Sequence, residues 1–180
     1  MARVPYLNRE DLPEEYRYLF DRLTAESKGP VGNLFRALAH TPRLLRRFMG
    51  LGSDLRYKTE LDPRLRELAL LAVGRITGAE YEFVHHWNLA LRAGVPREKL
   101  EALAEWETSP AFDDHDRAVI RYAIEATSNI KVSDSTWNAV KSFIDTRRLL
   151  ELVENVAYYN MVVRVLLPCG VDLEPDAKKG

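Results

Sequence analysis

Cysteine is nearly absent from this sequence: of 180 residues only Cys169 carries a thiol, so no intramolecular disulfide, CxxC redox pair or cysteine-rich zinc site can form within it. Charge of one sign is lacking as well. Lys plus Arg number 26 against 27 Asp plus Glu, and no basic stripe is interleaved with aromatics, so nothing offers a grip to a polyanion and no nucleic-acid partner is expected. Long apolar runs are missing: no stretch reaches the ~18 uninterrupted apolar residues that span a bilayer. The opening MARVPYLNREDL is charged and has no apolar core of the signal-peptide kind. No membrane association and a cytoplasmic location are therefore expected. There is no low-complexity tract and no fixed repeat period. What remains, 46% hydrophobic and 29% charged residues, is the ordinary mixture of a globular chain able to bury a core.

Helix-start signals recur along the chain. Pro13-Glu14-Glu15, Thr41-Pro42, Asp62-Pro63 and Ser133-Asp134 each put a capping or first-turn residue ahead of a periodic apolar run. The spacing predicts helices over Pro13 to Ser27, Val31 to Ala39, Pro42 to Tyr57, Pro63 to Thr77, Ala79 to Ala93, Arg97 to Ala104, Asp113 to Ser128, Asp134 to Phe143 and Arg147 to Leu167. The punctuating segments, Lys28 to Pro30, Gly94 to Pro96, Glu107 to Pro110 and Asn129 to Ser133, are too short for interdomain linkers. The expected architecture is all-α, a single compact helical domain over 1–180.

The helix from Pro63 is the most apolar. Leu68 to Gly74 carries no charge, so the helix should lie in the interior, needing cover on more sides than a small monomer readily supplies; a homo-oligomer is expected on that ground. Glu67 shares a stripe with Leu70, Leu71 and Gly74, which points its carboxylate along an apolar side. Either it is buried with a partner, or it complements the helix dipole at the surface and pairs with Arg64 or Arg66.

On the next helix, Ala79, Phe83, His86, Ala90 and Ala93 lie within ~40° of one direction, with Glu82 one turn before His86 at the edge of that face. His85 points to the opposite side and reads as a solvated or interface residue. A Glu82/His86 pair on an apolar stripe can share a charge-assisted hydrogen bond that keeps a proton on the imidazole near neutral pH, which is what general acid/base chemistry requires. Glu67 can converge on the pair where the helices pack, with Arg75 as counter-ion. Two other readings use the same side chains: a core histidine satisfied by Glu82 or a carbonyl, and a metal site with Glu67, Glu82 and His86 as ligands. No metal and no cofactor are expected.

Arg64 to Leu68, then Gly78-Ala79-Glu80-Tyr81-Glu82-Phe83-Val84-His85-His86, then Leu91 to Pro96, resemble the signature of the carboxymuconolactone decarboxylase and alkylhydroperoxidase D-like superfamily. Weaker similarity extends to Asn33 to His40 and to the helix around Glu151 to Asn160, with the core signature at about 33–115. The resemblance implies an alkylhydroperoxidase D-like helical fold assembled as a trimer or hexamer. In the peroxidase branch the reactive part is a CxxCxxxH motif with a glutamate on the preceding helix; the corresponding positions here are Ala79, Glu82, His86 and Glu67. Glutamate and histidine match and both cysteines are missing, so disulfide-based peroxide reduction does not carry over. The decarboxylase branch, whose members can dispense with the cysteines, resembles this chain better.

That resemblance implies a cofactor-independent lyase acting on a small oxygenated acid, lactone or enolisable ketone, with His86, Glu82 and Glu67 catalytic and Arg75 orienting the acid; Tyr159, on the last helix, reads either as core packing with its polar tip satisfied or as a further substrate-binding residue. The competing class is a catalytically silent binding or assembly module in which Glu67, Glu82 and His86 form a structural network. A pocket reaching His86 favours the enzyme; a sealed group with every hydrogen bond made favours the module. Trp87 and Trp137 read as core or interface residues, and His40 and His115, near helix ends, as capping or solvated ones.

Overall fold

Asp62 and Pro63 start the central helix as their types dictate: the carboxylate accepts from Arg64 N, and proline occupies the first turn, where its missing N–H costs nothing. Gly78, in the left-handed region at φ 69°, ends it. The computed structural model describes residues 2–180, and among these there are nine α-helices and no strand. They are α1 (Tyr18–Ser27), α2 (Asn33–Leu38), α3 (Pro42–Tyr57), α4 (Pro63–Thr77), α5 (Glu80–Arg92), α6 (Arg97–Glu101), α7 (Asp114–Asn129), α8 (Asp134–Lys141) and α9 (Thr146–Cys169). The fold is all-α.

The chain divides into two compact units. The first comprises Met1–Lys58 and Val165–Asp176, the second Thr59–Arg164 and Ala177–Gly180. In the first, Leu12, Leu19, Phe20, Leu23, Leu45 and Met49 form the apolar core. In the second, α4 packs on α5 and α7, and α7 on α8, around a larger core that includes Leu71, Val119, Ile120 and Leu152.

Every residue of α4 from Arg66 to Gly74 is buried. The argument for an oligomer from this helix therefore loses its premise, because one chain already covers it on all sides. Gly74 makes the α4–α5 packing possible: a Cβ there would stand 3.1 Å from Phe83 N and 3.4 Å from Phe83 Cα, against backbone that cannot swing aside. Alanine gains about 1 kcal/mol of helix propensity at an interior position, yet wedging two helices apart costs about 1–3 kcal/mol. Gly74→Ala should consequently lower stability by about 1 kcal/mol in urea denaturation; an unchanged or higher midpoint would show that α5 gives way freely.

Several boundaries differ from the periodicity. The segment from Pro13 opens as a 3-10 turn at Glu14–Tyr16 and becomes α-helical only at Tyr18, with Arg17 donating back to the carbonyls of Leu12 and Glu10. Arg9–Asp11 is a further 3-10 turn, tied by Asn8 N donating to Asp11 Oδ2, and is too short to leave a periodic trace. The helix expected to reach Ala104 ends at Glu101 and tightens into 3-10 over Ala102–Glu105. The last helix runs past Leu167 through Pro168 to Cys169, whose final carbonyls accept from Arg3.

Candidate functional site: a buried carboxylate–imidazole relay

α4 and α5 bring Glu67, Glu82 and His86 together inside the second unit, at 1, 5 and 2% exposure. His86 Nδ1 lies 2.6 Å from Glu67 Oε2, and its Nε2 lies 3.3 Å from Glu82 Oε2. The second distance is that of an ion pair without hydrogen-bond alignment, since Glu82 Oε2 is buried and has no hydrogen-bond partner. On the other side of the relay Arg66 donates from Nε to Glu67 Oε1 at 3.0 Å, with Nη2 at the same distance. Glu67 thus holds a guanidinium on one oxygen and an imidazole on the other.

Charge in such a place must be balanced. Burial opposes ionisation of the imidazole, but the electrostatic influence of Tyr159 and of the Glu67 carboxylate, the hydrogen bond to Glu67 and the Glu82 carboxylate facing Nε2 outweigh it and raise the His86 pKa to about 10. Burial likewise works against the Glu67 carboxylate, yet His86 and Arg66 hold it below its ordinary 4.5. His86 is therefore an imidazolium at neutral pH, clasped between carboxylates. Tyr159, on α9, meets its ring edge-on at 4.5 Å between centroids and itself packs edge-on against Tyr158.

Arg75 is not part of this group. It is exposed and lines a cavity of about 450 Å³ with Gly74, Glu80, Phe83, Trp87 and Lys179, none of which is Glu67, Glu82 or His86. The counter-ion of Glu67 is Arg66 instead. Of the arginines expected near it, Arg64 pairs with Asp62 and Arg75 lines the cavity, so Arg66 alone reaches the Glu67 carboxylate. The metal alternative also fails on geometry: Glu67 and Glu82 face opposite nitrogens of one imidazole and share no common point. Among the described residues no group of three or more His, Cys, Asp or Glu can hold a metal ion.

The remaining candidates lie elsewhere. His85 stacks on Tyr81 at 4.4 Å and its Nδ1 is 3.0 Å from the Tyr81 carbonyl. His115 stacks on Phe143, and His40 Nε2 lies 2.9 Å from Pro5 O. Nothing in the side-chain pattern of α9 sets Glu151 apart from Glu154, yet its Oε2 accepts from the N–H groups of both Glu60 and Leu61 at 2.8 Å and so fixes the loop ahead of α4. A second cavity of about 120 Å³ is lined by Asp62, Arg64, Lys99, Asp113 and His115. Neither cavity is lined by Glu67, Glu82 or His86.

Residues 42–125, which contain this relay, match the Carboxymuconolactone decarboxylase family. That match spans just under half of the chain and supports a place in the carboxymuconolactone decarboxylase and alkylhydroperoxidase D-like superfamily. An uncharacterized protein, YnjA of Escherichia coli (strain K12), is 28% identical over 111 residues, and that match takes in 61% of this chain and 60% of YnjA. The fold is shared more widely. An uncharacterized peroxidase-related protein from Ralstonia eutropha JMP134, with an alkylhydroperoxidase AhpD core, superposes with a TM-score of 0.84 at 18% identity, covering 97% of this chain and 93% of that one. The debrominase Bmp8 superposes with a TM-score of 0.82 at 20% identity, covering 96% and 92%, and a Bmp8 variant has been seen in complex with 2,3,4-tribromopyrrole. Ala79 and Glu82 are buried, at 1% and 5% exposure, and the one thiol of the chain, Cys169, belongs to the first unit.

Proposed function

We propose that the protein is a cofactor-independent acid/base enzyme of the decarboxylase-like kind, acting on a small oxygenated acid, lactone or enolisable ketone in the cytoplasm, as a trimer or hexamer. The observation that supports this reading is a buried imidazole held between two carboxylates, one of which keeps an unsatisfied oxygen. A polar group left short of a partner in an apolar interior is a cost that a purely structural network has no reason to retain.

In a decarboxylation the bond to the departing carboxylate breaks, its electron pair moves into the conjugated carbonyl, carbon dioxide leaves and a dienolate remains. His86 Nε2–H returns a proton to carbon, and the imidazole regains one from solvent. Glu67, anchored by Arg66, fixes the tautomer through Nδ1, so that Nε2 is the atom that gives and takes. Glu82 faces Nε2 and helps hold the charged form, while the Tyr159 ring fixes the imidazole plane. With His86 2% exposed and Glu82 5%, this reading requires a conformational step that opens the packing over Nε2 to admit substrate.

The test is turnover of three probe classes, a carboxymuconolactone, a β-keto acid and an enolisable ketone whose α-proton exchange is followed by NMR in deuterated water. His86→Gln should keep the fold by circular dichroism and lose ~10²–10⁴-fold in rate. Full activity in His86→Gln removes the imidazole from the chemistry, and no turnover of any class overturns the reading. One observation favours the module alternative: all three side chains are sealed at 5% exposure or less and neither cavity reaches them.

A further inference from the structure

The larger cavity, which Phe83 and Trp87 line and His86 does not, already contains a cation. Lys179 places its ammonium 4.5 Å from the centre of the Phe83 ring and 4.9 Å from that of Trp87, and the two rings are tilted 56° to one another at 5.9 Å. Two aromatic faces turned on one positive charge form the arrangement by which ammonium groups are recognised. Glu80 and Glu101 line the same cavity, and neither is in an ion pair among the described residues, so the aromatic slot has two uncommitted carboxylates beside it. Lys179 reaches the slot because its main chain is clamped. Asn88 donates from Nδ2 to Lys178 O and accepts from Gly180 N, both at 2.7 Å, and Arg97 donates to Gly180 O. At about 450 Å³ the cavity is far larger than one ammonium group requires and falls in the range of small-molecule sites.

We propose that this cavity binds a small organic ammonium ion between Phe83 and Trp87, and that Lys179 is its built-in competitor. The segment Ala177–Gly180 acts as a strap: with Lys179 in place the slot is filled, and a ligand must displace a side chain whose tether gives it a high effective concentration. Arg75 stands at the same cavity, so removing the Lys179 charge leaves two carboxylates against one cation and makes the site attractive to a positive ligand.

The probe is n-butylammonium, with neutral 1-butanol of the same size as control, and the readout is the indole ¹⁵N–¹H resonance of Trp87, assigned with Trp87→Phe. Lys179→Ala should show a saturable shift with n-butylammonium at an affinity about tenfold or more above that of the unsubstituted protein. 1-Butanol should bind the variant more weakly, and adding Glu80→Gln and Glu101→Gln should weaken n-butylammonium binding. No saturable shift in Lys179→Ala overturns the site. Equal affinities with and without Lys179 overturn the competition, and equal binding of 1-butanol shows an apolar cavity with no preference for cations.

Discussion

Replacing Glu67 with leucine should lower the stability of the folded protein by about 3–5 kcal/mol, the usual cost of deleting one member of a buried ion pair. The expected loss lies at the high end because Glu67 serves two cations. Its Oε1 holds Arg66 and its Oε2 holds His86, all three are buried, and leucine leaves both positive groups without that carboxylate. The imidazole can escape by giving up its proton. The guanidinium cannot, and must either stay buried without its carboxylate or drag its arm to the surface. Glu67→Gln keeps the shape and one hydrogen-bonding oxygen, so it should cost less than the leucine variant. Chemical denaturation of both variants checks this; a leucine variant as stable as the parent would show that Arg66 and His86 find other partners without loss.

The second large effect is a dependence of stability on pH with a definite sign. The folded pKa of His86 is raised from 6.5 to about 10, so the stabilisation from its protonated form is complete below 6.5 and is lost as pH climbs through about 10. The pKa of Glu67 is lowered from 4.5, so its contribution is complete above 4.5 and is lost as pH falls through the folded value. Both are present in full between 4.5 and 6.5, which places the maximum of this pair's contribution there. Denaturation midpoints measured from pH 5.5 to 10 should therefore fall toward the alkaline end, and the part of the slope owed to the relay should vanish in His86→Gln. Identical profiles for parent and variant would contradict the assignment.

Much of this was legible in the sequence, for reasons that can be named. The bounds of α4 are marked chemically at both ends, by Asp62-Pro63 and by Gly78, and the helix runs from Pro63 to Thr77 as the spacing predicts. The convergence of Glu67 with His86 followed from one periodicity applied to two adjacent helices. From the sequence Arg66 is expected beside Glu67 only in a surface pair; the structure buries the two together, with the long arginine side chain reaching the carboxylate of the next residue although i and i+1 do not share a helix face. Glu151 is a similar case: its partners are backbone N–H groups some 90 residues away, which leave no pattern in the side-chain sequence. The segment after α9 has no apolar period at all, so the clamp of Asn88 and Arg97 on its main chain, and the seat of Lys179 on two aromatic rings, appear only in three dimensions.

The charge state of His86 carries the whole account, because an imidazolium gripped between carboxylates can act as a proton donor, whereas a neutral ring would be a core histidine or a base. ¹⁵N NMR of the imidazole nitrogens across pH 5 to 10 measures it directly, with His85 in the same spectrum for comparison and His86→Gln for assignment. Both nitrogens of His86 should carry protons at pH 8, with loss of one only toward pH 10, and Glu67→Gln should bring that transition to lower pH. A neutral His86 at pH 7 in the unsubstituted protein would contradict it.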